Sequence, residues 1–101
     1  MSTQNPAIHA RVAADALARL LADVQSGRAA WTDHTVRTAT DDFTRISEAI
    51  TSAMEQMTVA LSQTPARRPG AADARIGALH QAAQAEKTTA QHLRRARRAM
   101  H

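Results

Sequence analysis

The sequence contains no cysteine, so disulfide frameworks, thiolate metal sites and cysteine nucleophiles are excluded together. It contains no tyrosine, and Phe43 and Trp31 are its only aromatic residues. No row of rings is therefore available on which single-stranded bases could stack. No run of about 18 apolar residues occurs, so no segment reads as a membrane span. The start, Met1-Ser2-Thr3-Gln4-Asn5-Pro6, has neither a basic n-region nor an apolar h-region. A cytoplasmic location is expected on that basis, with non-Sec export left open. Beta-branched residues never alternate with polar ones over a strand-length window, so nothing supports a sheet.

Among the hydrophobic residues present, alanine is the majority. Of 101 residues, 44% are hydrophobic, but 24 of these are alanines; 20 bulkier side chains remain. The length fits a single helical domain over residues 1–101, with a modest core. Charge is divided unevenly. Residues 1–64 carry five arginines against seven acids, a net of −2, whereas residues 65–101 carry seven arginines and Lys87 against Asp73 and Glu86, a net of +6. A basic end of this kind points to an anionic partner: nucleic acid, an acidic protein face or a membrane surface. Twelve of the thirteen cations are arginine in an alanine-rich chain, a bias that GC-rich coding also produces, so arginine content alone says little about phosphate recognition.

Glycine and proline are confined to positions 6, 27, 65, 69, 70 and 77, and the places around Gly27 and across 65–70 separate three segments of helical periodicity. The first helix is predicted over 6–25, with Asn5 as N-cap, Pro6 at the first helical position and Gly27 as the stop. Ile8, Val12, Ala16, Leu17, Leu20, Leu21 and Val24 form its apolar face, and Arg11, Asp15, Arg19 and Asp23 alternate in sign on the other. The second helix is predicted over 32–63. Its residues Val36, Ala39, Phe43, Ile46, Ile50, Ala53, Met57 and Ala60 are spaced three and four apart without a break, the period of a coiled-coil or bundle seam. Thr32 is the expected N-cap, with Trp31 and Val36 at the staple positions. Asp33, Arg37, Asp41 and Arg45 are expected as an i, i+4 ladder on the outward side. Serine and threonine are frequent in this segment, so it is expected to depend on packing more than on propensity. Residues 64–72 form the main break. The third helix, about 72–100, has a sparse seam at 76, 79, 83, 86, 90, 93, 97 and 100, interrupted by Glu86 and Arg97, and its last two turns are expected to project beyond the rest.

The chemistry-bearing residues form no catalytic pattern. No nucleophile elbow, phosphate loop or dinucleotide fingerprint occurs. His9, His34, His80, His92 and His101 include no i, i+3 or i, i+4 pair, and Glu48, Glu55 and Glu86 are each followed three residues later by threonine and not histidine, so neither a metal site nor a cofactor is expected. No enzyme activity is expected. Trp31 beside an inter-helix turn, in a helical chain of this size, resembles the small Trp-x-Gly secretion substrates, which are helical hairpins. The local sequence Trp31-Thr32-Asp33 lacks the glycine, and the chain has no tyrosine for a C-terminal export signal, so no residue role is carried over.

The expected fold is all-α: a three-helix up-down-up bundle built on a long antiparallel helical hairpin, with the first helix covering part of it. The leading functional expectation is a non-enzymatic interaction or assembly protein, a homo-oligomer or the partner of another helical protein, acting through Trp31, Val36, Phe43, Ile46, Ile50 and Met57. The alternative is a small basic nucleic-acid-associated protein whose C-terminal end, 92–101, binds phosphates through Arg94, Arg95, Arg97 and Arg98. A small secretion-type helical hairpin is the outside alternative.

Overall fold

The computed structural model describes residues 5–63 and 71–100, with the side chains of 71–73 left out of the description. The expected 64–72 break lies largely outside the described residues. The protein is all-α, with helices α1 (Pro6–Gln25), α2 (Asp33–Ser62) and α3 (Ala71–Arg98). It divides into two compact units, residues 1–32 and 33–101.

The first unit holds α1. The Asn5 side chain accepts a hydrogen bond from the Ala7 amide at 3.0 Å, and Pro6 follows at the start of the helix, so one orphan donor is capped and another is absent. At the far end Gly27 adopts φ +80°. The Gly27 amide donates to the Val24 carbonyl (3.2 Å), and the left-handed turn at Gly27 brings the Ala29 amide back to the Asp23 carbonyl (3.2 Å). A left-handed residue closes a helix in this way, and a Cβ at this position would be strained.

The second unit is an antiparallel hairpin of α2 and α3. Its direction is fixed by cross-helix pairs: Asp41, early in α2, meets Arg97, late in α3, while Glu55 meets Lys87. Thr40 and Met100 also face each other, with Oγ1 and Sδ 3.8 Å apart. The end of α3 therefore lies along the first turns of α2 and does not project past it. The described boundaries agree with the sequence periodicity to within two residues.

The helix–helix interface has an unusual composition. On α3 it follows the expected seam: Ala83 and Ala90 are 3% and 2% exposed, and Ile76, Leu79, Glu86, Leu93, Arg97 and Met100 are half-buried. On α2 the buried residues are Thr40, Thr44, Ser47 and Thr51, continued by half-buried Met54, Thr58 and Leu61. Each is one residue beyond the apolar series Ala39, Phe43, Ile46, Ile50, Ala53, Met57 and Ala60. The hydroxyl of Thr40 donates to the Val36 carbonyl (2.7 Å), Thr44 to Thr40 (2.8 Å), Thr51 to Ser47 (2.9 Å) and Thr58 to Met54 (2.9 Å). With the hydroxyl satisfied within its own helix, threonine offers its methyl to the neighbour without stranding a buried donor. Opposite Ala83 and Ala90, these small side chains suit a close approach of the two helices. No large side chain is fully buried among the described residues.

Candidate interaction site

The α2–α3 pair has two unlike long faces, because each helix advances about 100° per residue. Moving one residue forward from the interface series of α2 gives Asp41, Arg45, Glu48, Ser52 and Glu55; moving one forward on α3 gives Gln84, Lys87, Gln91, Arg94 and Arg98. In an antiparallel pair both shifts turn toward the same side, and the charges meet there. Arg94 Nη2 lies 2.9 Å from Glu48 Oε1, and Lys87 Nζ lies 3.8 Å from Glu55 Oε1. Arg97 Nε lies 3.0 Å from Asp41 Oδ1. The buried Arg97 Nε–H is not aimed at that carboxylate and has no hydrogen-bond acceptor, so this contact is an ion pair only; Arg97 Nη1 donates to the Met100 carbonyl at 3.3 Å. These groups are roughly half exposed, and each pair contributes only about 0–1 kcal/mol. They fix register and direction more than they stabilise.

Moving one residue back from the interface gives the opposite face. On α2 this is the apolar series predicted from the sequence. Val36, Phe43 and Ile46 are half-buried, Ile50 is 39% exposed and Met57 51% exposed. On α3 the same shift gives Arg75, Ala78, Ala82, Ala85, Thr89, His92, Ala96 and Ala99, all exposed. The α2 strip from Val36 to Ala60 is about 36 Å long and carries no charged residue. Trp31, also proposed from the sequence, is exposed and belongs to the first unit; the other five residues of the expected interface share the α2 strip.

The four arginines of α3 do not act alike. Arg94 and Arg97 are turned onto Glu48 and Asp41, whereas Arg95 and Arg98 are exposed and have no carboxylate within 4 Å among the described residues. The acids of α2 also depart from the expected ladder. Arg45 pairs with Asp42 at 3.3 Å, three residues back, and Asp41 crosses to α3. The sequence signal for this was the spacing of seven between Asp41, Glu48 and Glu55, matched by Lys87 and Arg94, as at the flanking positions of coiled coils.

Among the described residues no three histidine, aspartate or glutamate side chains come together as metal ligands, and no helix is long and apolar enough to cross a membrane. Comparison of the chain with protein-family models, with curated proteins and with solved structures yields no match.

Proposed function

We propose that the protein is a non-enzymatic helical interaction or assembly module whose contact surface is the α2 strip of Val36, Phe43, Ile46, Ile50 and Met57. One observation carries this reading: α2 turns Thr40, Thr44, Ser47 and Thr51 to α3, with Met54 and Leu61 continuing that side, and keeps Phe43, Ile46, Ile50 and Met57 on an adjoining, partly open face. A contiguous apolar strip without charge is the kind of surface that docks a partner helix. The apolar face of α1, from Ile8 to Val24, is only about 24 Å long, so a helix of that length could not cover the whole strip. About a third of the strip would still be open to a helix from outside the chain.

Oxidative footprinting tests the reading, because Met57 lies on the strip and Met54 on the α3 interface. The oxidation rate of Met57 is expected to fall severalfold as the protein concentration rises or a helical partner is added, with Met54 unchanged. A Met57 rate that stays constant under both conditions contradicts the proposal.

A second reading, contact with nucleic-acid phosphates, is supported by the two exposed arginines without a carboxylate partner, Arg95 and Arg98. Two phosphate contacts give a slope of about −1.8 for log affinity against log salt on duplex DNA. Changing both residues to alanine is expected to abolish that slope in an anisotropy titration; a slope retained by the double variant removes the site.

A further inference from the structure

We infer that the partner of this face is a second copy of the same hairpin, joined across it as an antiparallel four-helix bundle in which α2 of each copy lies on α3 of the other. This rests on the reading of the α2 strip as an association surface and adds the occupant, the stoichiometry and the contribution of α3.

The angle between the two faces of each helix is the first argument. The α3-facing series and the apolar strip of α2 differ by one residue throughout, so their centres are about 100° apart. The two neighbours of a helix in a square four-helix bundle lie about 90° apart, against about 60° in a three-helix bundle. On α3, the interface seam and the alanine series are displaced by the same single residue. Both helices are thus patterned for two neighbours at nearly right angles, and a lone third helix in the groove between them would meet neither outer strip squarely.

Shape gives the second argument. The face is bulky along α2, with Phe43, Ile46, Ile50 and Met57, and small along most of α3, with Ala82, Ala85, Ala96 and Ala99, the larger His92 being level with Ile50. Its complement is a face with small residues opposite the first strip and bulky ones opposite the second. A two-fold axis parallel to the helices turns this face into that complement, and every neighbouring pair in the bundle is then antiparallel. Because such an axis preserves height along the bundle, the register follows from the intrachain pairs. Glu55 is level with Lys87, so Met57 is level with Ala85 and meets that residue of the second copy.

The area is adequate. A strip about 36 Å long and two helix widths, about 20 Å, across covers about 700 Å² per copy, or about 1,400 Å² in total, inside the range of stable specific interfaces. The charges of the hairpin lie mainly on the opposite face, so few ionic groups lose water on pairing.

Sedimentation of the full chain and exposed-site variants tests this, with helicity by circular dichroism as the folding control. The wild type is expected to be a dimer at micromolar concentration. Ile50→Asp and Ala85→Glu are each expected to weaken it at least about a hundredfold, and Gln84→Glu, on the ion-paired side, less than about threefold. An equimolar mixture of Met57→Cys and Ala85→Cys chains is expected to form the crossed disulfide on oxidation, which no native cysteine obscures. Association broken by Ile50→Asp but untouched by Ala85→Glu would overturn the four-helix inference while leaving the α2 strip as the contact surface. Self-association untouched by Ile50→Asp would overturn both. A monomer whose thermal midpoint falls on Ile50→Asp would overturn the inference and assign the face to α1 of the same chain.

Discussion

Threonine is the residue on which the hairpin turns. At Thr44 and Thr51 the hydroxyl is bonded to a carbonyl of its own helix that already accepts the regular helical bond, so the interaction with α3 rests on the methyl group. Thr44→Ser or Thr51→Ser removes only that methyl and is expected to cost about 1 kcal/mol in chemical denaturation. Thr44→Val keeps the shape and leaves no donor behind; it is expected to raise the unfolding midpoint, and a drop of more than about 1 kcal/mol would show that the hydroxyl serves the interface. Ala90, at 2% exposure, is the converse case. Ala90→Leu inserts bulk where two helices are close and is expected to destabilise by about 1–3 kcal/mol. At Gly27 the constraint is backbone geometry: φ +80° with open space around the Cα. Gly27→Ala is therefore expected to cost about 1 kcal/mol through backbone strain alone, read as lost helicity in α1.

At the scale of elements, the ion pairs between Asp41, Glu48 and Glu55 and their α3 partners specify direction with little stabilisation. Neutralising the three acids together, as Asp41→Asn, Glu48→Gln and Glu55→Gln, is expected to lower stability by no more than about 3 kcal/mol. The wild type is expected to keep its helicity in about 1 M salt, which screens these half-exposed pairs strongly, because they contribute little to the packing. Loss of the hairpin in either experiment would show that the charges carry the packing. The helices themselves were legible in the sequence because their signals were local: Asn5-Pro6 starts α1, Gly27 ends it, and the three-and-four spacing fixes the length of α2. The α3 seam through Ala83 and Ala90 was legible too, including Glu86 and Arg97, which read as interruptions yet sit half-buried within it. The face that α2 turns to α3 was not. A reading weighted by side-chain size selects Phe43 and Ile50 over Thr44 and Thr51, and it is blind to a threonine that hides its hydroxyl against its own backbone. The same threonine and serine series has the three-and-four spacing of the apolar one, and that periodicity was the available clue. The pairing of Arg94 and Arg97 with α2 was likewise concealed, since it depends on which helix faces depart from the seam in the same direction.

At the scale of the molecule, α2 presents two adjoining seams and uses the polar one internally. A chain that closed on itself to bury apolar surface would place Ile50 and Met57 inward, because burying each contributes about 1.5–3 kcal/mol. Their partial exposure, next to an interface whose most buried residues are threonine, serine and alanine, is what the proposed association would cover. The four-arginine end divides as well: Arg94 and Arg97 pair with α2, and Arg95 and Arg98 face outward. The most direct test is sedimentation equilibrium of the intact chain beside the Ile50→Asp, Met57→Asp double variant at matched helicity. The account predicts twice the 10.9 kDa chain mass for the wild type and a single chain mass for the variant; equal masses for the two would contradict it.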